Sequence, residues 1–320
     1  MNHNVKQNQA KAFAVNHTML FFAVILFAAC MIGVPRFATA GNLMNIMIQV
    51  SINALIACGM TFVILSDGID LSVGSVAAIA GVAGASAIKM MPNASVPVCL
   101  LVILVTAVAV GGLCGAVNGF CIAKLNVPPF IATLAMMNAA RGLAYVFTDA
   151  KPVFGLPESF GWLGLRSIGG IPVSIILMVL VIAASYIVLQ KTCFGRYIYA
   201  VGSNKEVAKL TGIHVTGTRF SVYVISGILA ALAGLVLASK LQNGQATAAT
   251  GYELNAIAAV AMGGTSMSGG RGGIPQTVVG LFVIGIINNA LSLLGVSSYW
   301  QTVAMGAIIL VAVIIDQFRK

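Results

Sequence analysis

The sequence predicts an all-α, polytopic membrane protein with about ten transmembrane helices and both termini in the cytoplasm. Three observations carry this. Hydrophobic residues make up 59% of the 320-residue chain and charged residues only 8%, where a soluble domain carries roughly 25% charged residues. The mean hydropathy is +1.02, which also excludes a disordered chain. The charges that exist stand between long apolar runs, so the excess of 17 Lys and Arg over 7 Asp and Glu is not the single basic face that nucleic-acid binding requires.

A helix needs about 20 predominantly apolar residues to cross roughly 30 Å of hydrocarbon with its backbone bonds satisfied internally. Ten segments qualify, near 19–34, 44–65, 72–88, 96–122, 128–148, 172–190, 220–239, 254–267, 275–294 and 299–315. The first resembles a signal peptide but has no convincing small-x-small cleavage site, and further spans follow it. It is expected to be retained, after a mobile cytoplasmic tail over 1–18. The second and third segments lie so close together that they are expected to form either two spans or a broken helix. The eighth is short and ends in Gly263-Gly264-Thr265-Ser266, which leaves the same choice.

Orientation follows from the distribution of Lys and Arg. With an inside N-terminus, the inside set is Lys6, Lys11, Lys124, Lys191, Arg196, Lys205, Lys209, Arg219, Arg271, Arg319 and Lys320. The outside set is Arg36, Lys89, Lys151, Arg166 and Lys240. The flipped arrangement inverts the bias. Residues 19–320 then form one transmembrane domain, whose longest inside loop runs over 191–219.

The fourth segment carries Gly111, Gly115 and Gly119 at four-residue spacing, which places them on one face for close helix contact. The third is built almost wholly of small residues and is expected to lie buried among other helices. Cys30, Cys58, Cys99, Cys114, Cys121 and Cys193 form no CxxC pair and read as packing residues. His3, His17 and His214 have no ligand spacing. No metal and no cofactor is expected.

The chain has no GxxxxGK[ST] phosphate loop, because the glycine-rich run 263–273 lacks the Lys-Ser/Thr pair that grips phosphate and magnesium. It also has no GxSxG elbow, no HExxH pair and no two carboxylates placed for acid–base work. A transporter or channel is therefore favoured over a membrane enzyme.

Charges within the bilayer are costly, at ~2.5–3.5 kcal/mol each at a helix centre on insertion scales. Asp67, Asp70, Arg141 and Glu253 are the candidates. Asp70 reads as a gate or pathway group, or as a cap for the amides that begin the third helix. Asp67, in Ser66-Asp67-Gly68, is a turn residue. Arg141 either pairs with a carboxylate in the bundle or snorkels to an interface, and Glu253 complements a helix start. Among the uncharged polar residues, Asn118, Thr133, Asn138, Asn255, Asn288 and Asn289 either line a path for a polyhydroxylated solute or bond helix to helix.

In the 191–219 loop, Ser203 or Asn204 can cap a short helix carrying Glu206 through Leu210, and Gly212 can stop it. Val207, Ala208 and Leu210 give that helix apolar side chains suited to a groove on a soluble partner. A plain amphipathic surface helix is the alternative.

Glu206-Val207-Ala208, followed after three residues by Gly212, matches the EAA-x3-G pattern of the coupling segment in ABC-importer permeases, without the Ile-x-Leu-Pro that often follows it. Gly195-Arg196-Tyr197-Ile198-Tyr199-Ala200-Val201-Gly202 leads into it. The run 59–75, including Ser66-Asp67-Gly68-Ile69-Asp70-Leu71-Ser72, precedes it. The run 250–266, including Gly251-Tyr252-Glu253-Leu254-Asn255, comes after. Together these resemble the monosaccharide permease family of bacterial ABC importers, from about residue 40 to 316. The segment Asn288-Asn289-Ala290-Leu291 through Tyr299-Trp300-Gln301 is similar to the ribose branch.

The resemblance implies an inner-membrane subunit that dimerises with a second copy of itself and moves a monosaccharide, most simply D-ribose. It implies two further partners, a cytoplasmic ABC ATPase subunit with two fused nucleotide domains and a periplasmic sugar-binding protein. By the family's pattern Asn204, Glu206, Val207, Ala208, Leu210 and Gly212 would couple to the ATPase. Asp70, Asn118, Asn138, Arg141 and Asn255 remain candidates for a gate or pathway. A secondary transporter driven by an ion gradient is the rival, with Asp67 and Asp70 as its carboxylates.

Overall fold

The computed structural model describes residues 19–318; the tail expected over 1–18 lies outside the described residues, as do Arg319 and Lys320. Among the described residues, twelve helices longer than five residues follow one another. They are α1 (Met19–Gly33), α2 (Ala40–Leu65), α3 (Val73–Lys89), α4 (Val96–Ala123), α5 (Pro129–Thr148), α6 (Val173–Lys191), α7 (Cys193–Ser203), α8 (Lys205–Leu210), α9 (Val215–Leu241), α10 (Tyr252–Gly263), α11 (Ile274–Leu293) and α12 (Ser298–Phe318). The only paired strands among the described residues are β1 (Ser167–Ile168) and β2 (Ile171–Pro172). Gly169 and Gly170 turn between them at φ 58° and 83°, which is the geometry a two-residue hairpin demands.

Among the described residues, six helices are long and apolar enough to cross a membrane: α2, α4, α5, α6, α9 and α11. α3 has 17 residues and α10 has 12; at 1.5 Å per residue the latter reaches only about 18 Å. The eighth predicted segment is thus a half-length helix, and the glycine run after it is a loop.

α9 is the axis of the bundle, packed against α2, α3 and α4. Its approach to α4 follows from the glycine stripe. A Cβ at Gly111 would strike the Gly227 carbonyl, one at Gly115 the Tyr223 carbonyl, and one at Gly119 the Phe220 carbonyl at 2.9 Å. Small residues let two backbones meet where side chains would hold them apart. The stripe begins at the end of a π-helical turn, Ala107–Gly111, within α4. α3 packs the same way, with Gly234 set against the Ala77 carbonyl, and 13 of its 17 residues are buried, as its composition predicts.

The outer face is apolar. On α4, Leu101, Leu104, Val105, Val108 and Leu113 are exposed, and on α5 Val146 and Phe147 are. Such a continuous surface is stable only against hydrocarbon or another apolar surface.

Candidate functional site

α2 stops at Leu65 and α3 starts at Val73; the amides of Ser66, Asp67 and Gly68 close back on α2 carbonyls, which leaves the later groups of the break to other partners. Side chains supply them. Asp70 is buried, and its Oδ1 accepts from the Ser72 amide at 3.0 Å and the Ser72 hydroxyl at 2.6 Å. Its Oδ2 accepts from the Ser226 hydroxyl of α9 at 2.9 Å. Asn118 of α4 donates to Ser72 Oγ at 2.9 Å. The sequence offers two readings of Asp70; here its oxygens are occupied by Ser72, the residue before α3, and by Ser226 of α9, while the first amides of α3 receive no side-chain cap. Asn118 belongs to the same network.

A second break precedes α10. Residues 242–251 are irregular, and they run along α3: a Cβ on Gly244 would meet Ala85 Cβ at 2.7 Å, while one on Gly74 would meet the Ala249 carbonyl at 2.6 Å. Backbone of this kind is tolerated at membrane depth only where protein satisfies it. Arg141 of α5 does so, donating from Nη1 to the carbonyls of Ala246 (2.5 Å) and Ala248 (2.7 Å). The hydrogen-bond partners of Arg141 are therefore a pair of carbonyls, and the Glu253 carboxylate acts on it through its charge. Glu253 holds the other side of the break, accepting from the Gly251 amide at 3.2 Å.

The connection between α6 and α9 folds into two short helices. Thr192 caps α7 by accepting from the Gly195 amide at 3.2 Å. Asn204 caps α8, its Oδ1 accepting from the amides of Glu206 and Val207, each at 3.0 Å. Gly212 ends the turn at φ 83°, a left-handed conformation suited to glycine after a helix. Ala208 is buried beneath α8, whereas Val207 is 55% and Leu210 86% exposed; Glu206 is exposed as well. The structure thus brings all six of these residues onto one short element with apolar side chains facing out.

That element is joined to the first break. Lys205 Nζ lies 2.7 Å from Asp67 Oδ2. The Gly270 amide donates to the Leu65 carbonyl at 3.1 Å, and the Tyr199 hydroxyl donates to the Gly272 carbonyl at 2.9 Å. Burial raises the Tyr199 phenol above its ordinary pKa and keeps it a donor. Gly202 sits where the three segments meet, since a Cβ there would strike the Leu65 carbonyl. Runs around 59–75, 195–202 and 262–273, far apart in sequence, converge at this end of the bundle. The Asp67–Lys205 pair carries no local sequence signal, and Asp67 was legible only as a turn residue, which its φ of 60° bears out.

The remaining polar candidates separate. Asn289 exchanges hydrogen bonds with Asn42 at 2.8 and 2.9 Å. Thr133 bonds back to the Pro129 carbonyl at 2.9 Å. Asn138 is exposed and donates to the Leu134 carbonyl at 3.0 Å. Asn255 and Asn288 instead line one small pocket, with Gln49 and Asn53 of α2 opposite them.

Apolar spans interrupted by braced breaks, with a short helix presented at one end, define a multi-pass membrane protein. The chain belongs to the family described as branched-chain amino acid transport system / permease component, whose pattern it matches over residues 42–313. It is 44% identical to the ribose import permease protein RbsC of Escherichia coli strain K12 over 314 residues, covering 97% of this chain and 96% of that protein. The corresponding ribose import permease of Bacillus subtilis strain 168 is 46% identical over 288 residues, 89% of this chain and 88% of its own. The L-arabinose transport system permease protein AraH of E. coli K12 is 41% identical over 302 residues, 94% and 90% of the two chains. No solved structure matches. The protein is a transporter subunit of the bacterial inner membrane.

Proposed function

We propose that this chain is the membrane-spanning subunit of an ABC importer that carries D-ribose into the cytoplasm. The near full-length identity to two ribose import permeases supports the substrate. In this reading two copies form the path, a sugar-binding protein delivers to the outer end, and an ATPase with two fused nucleotide domains seats at the inner end. About ten apolar segments build the membrane domain with both termini inside, α3 and α10 contributing as partial members. Residues 19–320 form the single transmembrane domain, and 191–219 is its coupling loop.

One observation carries the mechanism: the Asn204-capped α8 presents Val207 and Leu210 outward while Ala208 and the Asp67–Lys205 pair anchor it. An exposed apolar side chain on a rigidly capped helix suits a groove in a partner. Closure of the ATPase would move α8, and with it the α2–α3 break where Asp70 and Asn118 brace α9 and α4. Pathway access would change as these braces shift between two states, each favoured by a different ligation of the ATPase. Arg141 and Asn138 would act toward the opposite end, beside the 242–251 segment, and Asn255 along the route itself.

The test is sugar-stimulated ATP hydrolysis in the reconstituted complex. Glu206→Lys and a bulky replacement at Gly212 are expected to abolish stimulation while the subunit still inserts. Full stimulation in both variants would remove the assigned role of α8.

A further inference from the structure

Four primary amides converge between α2, α10 and α11: Gln49 and Asn53, one turn apart on α2, Asn255 on α10 and Asn288 on α11. Gln49 is exposed and the other three are half-buried, and their bonding differs from that of the buried amides. Asn42 and Asn289 satisfy each other, and Asn118 is tied to Ser72. In the pocket, the one side-chain hydrogen bond among the described residues is from Asn53 Nδ2 to the Gln49 carbonyl at 3.3 Å. Asn53 Oδ1 is buried with no partner there. A buried amide oxygen without a partner is costly, and Asn53 Oδ1 stands beside three partly exposed amides that make no side-chain hydrogen bond among the described residues, so this seam can bond a polar solute. Gly285 shapes the wall: a Cβ there would meet Val50 at 2.6 Å, so the glycine keeps α11 close to α2.

We propose that these four amides form a contact site for an uncharged polyhydroxylated solute, a monosaccharide in passage. Each amide offers two N–H donors and one oxygen acceptor, and a sugar's adjacent hydroxyls each donate once and accept. No charged side chain lines the pocket, which suits a neutral solute and gives ions nothing to pair with. The sugar identity rests on the importer reading above.

The experiment uses the whole complex in proteoliposomes and labelled ribose, with Gln49→Met, Asn255→Leu and Asn288→Leu, which keep approximate size and remove the amides. ATP-driven uptake is expected to fall at least tenfold while hydrolysis stimulated by the loaded binding protein stays within twofold. Uptake within twofold of the unsubstituted complex in all three overturns the site. A second measurement needs no transport: in an otherwise cysteine-free subunit, Asn255→Cys and Asn288→Cys are expected to react with a small charged thiol reagent and to be slowed by ribose during turnover. Unreactive thiols at both positions, as lipid-facing or dry packing and a subunit contact would give, overturn it as well. If instead the unsubstituted complex shows no ATP-dependent uptake, the importer reading fails, whatever the thiols report.

Discussion

Lys205 Nζ lies 2.7 Å from Asp67 Oδ2, which bonds the first residue of α8 to the turn dividing α2 from α3. The two side chains are 37% and 46% exposed, so the pair contributes little to stability, ~0.2–1 kcal/mol. Its position matters more than its strength, because no other ion pair joins the outward-facing helix to the bundle among the described residues.

Replacing Asp67 or Lys205 by Ala is therefore expected to leave thermal unfolding almost unchanged. The number of ATP molecules consumed per sugar transported should rise. The exchanged pair, Asp67→Lys with Lys205→Asp, should recover coupling in part. Unchanged stoichiometry in both single variants would leave the ion pair without a role in transmission.

Arg141→Ala leaves the carbonyls of Ala246 and Ala248 without donors. The expected cost is about 2 kcal/mol, or roughly 3 °C in Tm for a chain of this length, read from unfolding of the detergent-solubilised subunit. Arg141→Lys keeps a donor but not the span between two oxygens, and should fall between. A wild-type Tm for the alanine variant would mean that the 242–251 segment is held by other contacts.

Gly227→Val tests the contact of α9 with α4, since its Cβ would strike the Gly111 carbonyl. Overpacking of this kind costs about 1–3 kcal/mol, and lower expression and Tm are expected. Gly142→Ala is the control: its Cβ would meet nothing within 4 Å, and helix propensity predicts a gain of about 0.5–1 kcal/mol.

Asp70→Asn turns an amide N–H₂ toward groups that donate to the carboxylate, namely Ser72 and Ser226. A loss of about 1–3 kcal/mol is expected, seen as less folded protein, with transport still indifferent to proton and sodium gradients. If gradient dependence exists and disappears in this variant, the carboxylate is a coupling-ion site instead of a brace between Ser72 and Ser226.

Much of this was legible in the sequence because it is local. Asn204 and Gly212 mark a helix's ends through residue type alone, and both ends fall where they stand. The glycine stripe on α4 and the small residues of α3 state their packing through spacing and volume. What was not legible depends on distance in sequence. The carbonyls that Arg141 serves lie 105 and 107 residues away, in a loop whose only signal is the shortness of the helix after it. Asp67 and Lys205 are 138 residues apart. Among the polar residues, Asn288 and Asn289 are neighbours of one type, yet one closes on Asn42 and the other faces a pocket. Only the packing of α2 on α11 separates them.

The most direct test of the account is uptake of labelled ribose into proteoliposomes holding this subunit, with the ATPase and the binding protein added or withheld. The account predicts uptake only when both partners and ATP are present. Uptake by the subunit alone on an ion gradient would contradict it.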